Sequence, residues 1–122
     1  MAPPTTKAGW MDPTIRAWLV ATRPWSLPGS VVPVCLCGAV LHRNRSGTDD
    51  LPLYSAGFVL AFVVVVAFHL AANLFNTYFD FVSGLDTKEE ADDRALVDGT
   101  VSTSFVWRAA VGAAAVGSAA AA

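Results

Sequence analysis

The chain is 122 residues long, 54% hydrophobic and only 15% charged, a composition outside the range of ordinary soluble domains and typical of membrane proteins. A formal net charge of -2 and a pI near 5.5 provide no basic surface for neutralising phosphates, which argues against nucleic acid as a partner. Cys35 and Cys37 stand one residue apart in an apolar run, where neither a disulfide framework nor a metal set can be built from them, so they read as packed, reduced thiols.

Taken in chain order, residues 1–22 read as a tail leading into a short amphipathic helix suited to a membrane interface. Ile15, Trp18 and Leu19 recur at helical spacing with Arg16 on another side. No apolar core of a signal peptide precedes them. A first span is predicted at about 25–42, with Trp25 at the headgroup level and Pro28 in the first turn. Pro33 inside it removes a backbone donor and predicts a kink unless a neighbouring helix satisfies the freed carbonyl.

The polar turn from His42 to Asp50 closes at Pro52. A second span is predicted at about 53–79, where Leu53 to Ala72 carries no charge and would form roughly 30 Å of helix. Residues 80–104 turn abruptly acidic and form an aqueous loop. A third span at about 105–122 is rich in Ala and Gly, the residues that let helices approach closely in a bilayer. That stretch ends without a polar flank, so residues 23–122 are expected to be the N-terminal part of a larger domain. The fold class expected is all-α, a multi-span helical bundle represented by its first two to three helices. Lys and Arg counts favour a cytoplasmic N-terminus only weakly.

The chemistry concentrates at the end of the second span. His69, Asn73, Asn76 and Asp80 are spaced by four, three and four residues, which puts them on one face of the helix as it leaves the membrane. Such groups are costly against lipid and belong against a bundle interior or a water-filled cavity. Gly84 is a candidate helix terminator, with Asp86 just beyond. Carboxylate oxygens of this kind suit a hard divalent cation such as Mg2+, held by a few carboxylates together with substrate phosphates. Lys88 and Arg94 then offer positive charge to the phosphate oxygens.

The stretch NLFNTYFDFVSGLDTKEEADDRALVD, Asn73 to Asp98, resembles the first aspartate-rich motif of the UbiA-type prenyltransferases, and TRPWSLPGSVVPV upstream resembles that family's Arg-Pro entry into its first helix. The likeness is greatest to the menaquinone branch and its animal members, with Gly84 and Leu85 before Asp86. It departs at Thr77, a position often Asp in the family, and in a slightly longer linker from Asp86 to Asp92. The resemblance implies an allylic diphosphate, geranylgeranyl diphosphate in this branch, bound through Mg2+. The prenyl group is then captured by an aromatic or naphthoquinone-type acceptor in vitamin K2 synthesis.

On this likeness, Asn76, Asp80 and Asp86 are catalytic, with Asp80 and Asp86 the metal ligands. Asn73, Lys88, Asp93 and Arg94 meet the substrate. The resemblance further implies an integral membrane protein of the endoplasmic reticulum or Golgi, and a second aspartate-rich motif on a later helix.

Plainer readings stand beside these. Asn73 is as suited to cross-bonding neighbouring helices as to meeting substrate, His69 reads as an interhelical hydrogen-bonding group with a base acting on the acceptor ring as its alternative, and Glu89 and Glu90 suit a solvated loop. A small membrane adaptor, whose acidic loop takes a basic partner or calcium, is the alternative from another class. Hydroxybenzoate, homogentisate or haem-type rings are the alternative acceptors.

Overall fold

The computed structural model describes residues 11–44, 51–87 and 95–122. Helix α1 spans Pro13–Thr22, a single 3-10 turn Pro24–Ser26 follows, α2 spans Leu27–Arg43, α3 spans Leu51–Val82 and α4 spans Thr103–Ala121. No strand occurs among the described residues. Among the described residues three segments are long and apolar enough to cross a membrane: Pro13–Arg43, Tyr54–Val82 and Thr103–Ala121. The all-α, multi-span expectation therefore holds.

Asp12 starts α1 by accepting the Thr14 and Ile15 amides at 2.8 and 3.4 Å, with Pro13 in the first turn where its missing donor costs nothing. The helix stops at Arg23, which adopts the left-handed conformation at φ 47°, ψ 56° and returns its amide to the carbonyls of Leu19 and Val20. Non-glycine residues rarely adopt this conformation. It turns the chain through a corner into α2. Helix α2 runs on through Pro33 to Arg43, so the proline is absorbed within a continuous helix.

Helix α4 packs along α3, as its small residues led us to expect. A Cβ placed on buried Gly117 would lie 3.1 Å from the Phe68 ring and 3.3 Å from the Ala67 methyl, so any larger residue would need those neighbours to give by a few tenths of an ångström. Towards the other end of the pair, Trp107 of α4 meets Phe75, Tyr78 and Phe79 of α3 with ring centroids 4.9–6.2 Å apart. Edge-on and tilted geometries of this kind favour aromatic pairs beyond the area they bury. A second contact, Trp18 on Phe105 at 5.3 Å, ties α1 to α4.

The buried core joins α1, α3, α4 and the α3–α4 connection: Ala17 and Ala21 of α1, Leu74 of α3, Val106 and Ala110 of α4, and Ala95, Leu96 and Val101 of the connection. Outward, Val32, Leu36, Val40, Val59 and Leu60 are exposed, a density of large apolar groups that water does not tolerate and lipid or further helices do.

Candidate functional site

The polar stripe of α3 divides into two halves with different partners. In the inner half, His69 lies between two hydroxyls, with Nε2 2.9 Å from Ser26 Oγ and Nδ1 2.9 Å from Ser30 Oγ. One turn on, the Asn73 side-chain amide donates to the Thr22 carbonyl at 3.0 Å. Both residues thus bond across to the corner between α1 and α2, which is the cross-bonding role open to them in the sequence.

The outer half bonds within its own helix. The Asn76 amide donates to Asp80 Oδ2 at 3.0 Å, one turn along α3. The bond holds the carboxylate in one orientation and does not use the carboxamide oxygen. Asn76 is exposed and Asp80 half-buried, in the last turn of a helix that continues to Val82. The aqueous loop thus begins slightly later than the expected residue 80.

The helix terminus folds the backbone of a second acidic residue back onto the end of α3. Gly84 sits at φ 73°, the left-handed region that glycine enters without penalty. Around it the Gly84 amide donates to the Phe81 carbonyl at 3.1 Å and the Leu85 amide to the Asp80 carbonyl at 2.9 Å. This 6→1 and 5→2 pair is the Schellman helix stop. The Asp86 amide adds a bond to the same Asp80 carbonyl at 3.2 Å. Two acidic residues six apart in sequence therefore share one backbone anchor, and Asp86 is itself half-buried and engaged.

The far end of the acidic segment is pinned too. Ala95 and Leu96 are buried in the core, Gly99 turns the chain at φ 67°, and the Val101 amide closes the turn on the Ala95 carbonyl at 3.1 Å. Lys88, Asp93 and Arg94 lie outside the described residues, as do Glu89, Glu90 and Asp92. Thr77 is 1% exposed and packed, not part of the acidic end, so its departure from Asp suits a buried position.

Among the described residues no three His, Cys, Asp or Glu side chains gather to hold a metal. The donors that Asp80, Asp86 and Asn76 could offer, two carboxylates and a carboxamide oxygen, are hard and oxygen-only, the type that Mg2+ takes beside several waters and substrate phosphates.

Sequence reasoning missed the anchoring role of Ser26 and Ser30, which lie within an apolar run and carry no spacing signal of their own. It also missed an apolar groove of about 410 Å³ between α2 and α3, lined by Pro33, Gly38, Tyr54 and Phe58 among others. That groove sits near the start of α3, roughly 30 Å or more along the helix from Asp80, and does not adjoin the acidic end.

Together these features define a membrane chain of several apolar helices in which one polar stripe on α3 runs to Asp80, with the Asp86 backbone tied to the same helix end. The chain is 43% identical over 95 residues to the UbiA prenyltransferase domain-containing protein 1 homolog of Drosophila melanogaster, covering 78% of this chain and 25% of that protein. It is 47% identical over 81 residues to UbiA prenyltransferase domain-containing protein 1 of Xenopus tropicalis, 66% of this chain and 22% of that protein. With the Homo sapiens protein of the same name it shares 42% over 82 residues, 67% and 22% of the two chains. The chain thus spans about a quarter of the length of these relatives. No family model and no solved structure matches it. Over the matched segment the chain is a homologue of the animal UbiA prenyltransferase domain-containing proteins.

Proposed function

We propose that this chain carries the first half of a diphosphate site in a prenyltransferase. The full-length protein would transfer an isoprenoid chain from an allylic diphosphate, geranylgeranyl diphosphate in this reading, to a naphthoquinone-type acceptor. Its place would be vitamin K2 synthesis in endoplasmic reticulum or Golgi membranes. The observation that carries the reading is the joint of Asp80 and Asp86 on one carbonyl, with Asn76 bonded to Asp80, at the mouth of an intramembrane polar stripe. The likeness to proteins bearing the prenyltransferase name supports it.

In this reaction the allylic C–O bond breaks and its electron pair leaves with the diphosphate. The acceptor ring supplies the electron pair of the new C–C bond and then loses a ring proton to water. When bound, Mg2+ would neutralise charge on the departing diphosphate. Asp80 and Asp86 would hold the cation, and Asn76 would fix the Asp80 carboxylate so that no reorganisation is needed as charge develops. Lys88 and Arg94 would grip phosphate oxygens, Lys as a point charge and Arg as a fork, and Asp93 would also meet the substrate.

The test is prenyl transfer by the full-length protein in lipid, with geranylgeranyl diphosphate and a panel of reduced naphthoquinone, hydroxybenzoate, homogentisate and haem acceptors, with and without EDTA. The reading predicts EDTA-sensitive transfer to the naphthoquinol. Failure with every naphthoquinone-type acceptor sinks the menaquinone branch, and failure with all acceptors sinks the enzyme.

A further inference from the structure

The inner half of the polar stripe is built as a clamp on the α1–α2 corner. Its two jaws are one turn apart on α3. Asn73 holds the Thr22 carbonyl and His69 holds Ser26 and Ser30. Between the gripped residues lies Arg23, the only non-glycine residue with positive φ among those described. A backbone in that region reverts to a commoner conformation unless its surroundings hold it. Released, the corner would straighten and α1 would swing from α3.

Hydrogen accounting fixes the histidine in this clamp. Ser26 Oγ donates its one proton to the Arg23 carbonyl at 2.7 Å, so towards His69 it acts only as an acceptor. His69 Nε2 must therefore carry a hydrogen. In the neutral ring Nδ1 is then an acceptor, and the Ser30 hydroxyl donates to it. Each hydroxyl meets the nitrogen that suits it. With both ring nitrogens engaged between helices, His69 has none in reserve for removing a proton from an acceptor.

The geometry points to His69, with Asn73, as a positioning residue for the prenyl-transfer reaction: it locks the Arg23 corner in register beside the Asn76–Asp80 end of the same stripe. This inference rests on the function proposed above for its kinetic consequence, and on the distances alone for its tautomer. Asn76 and Asp80 stand one and two turns beyond the clamp, so the α3 register that places the corner also sets the corner's distance from the carboxylates.

The test uses the full-length protein in lipid nanodiscs. Nitrogen NMR of isotope-labelled histidine, with His69 assigned as the signal lost in His69→Gln, should show Nε2 protonated and Nδ1 bare. The opposite tautomer overturns the clamp whatever the enzyme does. With geranylgeranyl diphosphate and a reduced naphthoquinone, His69→Leu should lower kcat/KM per folded enzyme by about tenfold. His69→Gln, whose amide donates to Ser26 and whose carbonyl accepts from Ser30, should restore it to within about threefold. Equal loss in Leu and Gln variants would identify a base, and no loss in the Leu variant would mean that the clamp positions nothing; either overturns the inference. A wild-type protein silent with these substrates refutes the proposed function, and the tautomer then decides the clamp.

Discussion

Gly38→Ala should destabilise the protein by about 1–3 kcal/mol, the usual cost of forcing an extra methyl into a packed contact. Gly38 is the buried point where α2 meets α3. A methyl group there would lie 2.7 Å from Phe58 Cδ2 and closer still to Cε2, distances real Cβ atoms do not show. Either the Phe58 ring rotates out or the helices separate. Separation carries a second penalty, because the Tyr54 hydroxyl donates to the Gly38 carbonyl across the same junction. Gly57 lines the same groove from α3 but has nothing within 4 Å of its would-be Cβ. Gly57→Ala should therefore stabilise by about 0.5–1 kcal/mol through helix propensity alone. Unfolding in mixed micelles, followed by circular dichroism as SDS is titrated in, gives both values. Phe58→Leu combined with Gly38→Ala should recover part of the loss, with a coupling of about 0.5–3 kcal/mol. If Gly38→Ala proves as harmless as Gly57→Ala, or simply adds to Phe58→Leu, the steric argument is wrong.

Two further predictions concern stability. Thr77 is buried, so Thr77→Asp should cost about 3 kcal/mol or more, because it places a carboxylate among packed helices, and Thr77→Val, which keeps the shape, about 1 kcal/mol at most; comparable losses in the same titration would contradict the assigned burial. At the corner, Arg23→Gly should be more stable than Arg23→Ala by about 1 kcal/mol, since only glycine holds φ 47° without strain. Equal stabilities would mean that the corner is not left-handed.

The sequence made the spans legible because their signal is cumulative. Leu53 to Ala72 without a charge leaves no other reading, and the observed α3 differs from the expected 53–79 only by a turn or less at each end. The stripe from His69 to Asp80 was legible for the same reason, since spacings of four, three and four survive any plausible helix. The helix stop at Gly84 was legible too, because glycine beside a polar segment has few other uses.

The corner was not. Nothing in the string TRPWS announces that an arginine takes a left-handed conformation, or that Asn73 and His69, some fifty and forty residues away, bond to that corner. The division of the stripe was equally hidden, because spacing places residues on a face and says nothing of what faces them. Leu96 read as part of an acidic motif, whereas burial makes it the anchor that pins the loop to the core.

The central claim is that Asp80 and Asp86 form one half of a diphosphate site. Its most direct test is prenyl transfer by full-length Asp80→Asn in nanodiscs, at saturating Mg2+ and geranylgeranyl diphosphate, beside wild type purified to the same folded yield. The account predicts a loss of at least about a hundredfold in kcat, the scale expected when a group stabilising developing charge is removed. Activity within about twofold of wild type, which corresponds to well under a single hydrogen bond's worth of transition-state stabilisation, would contradict it.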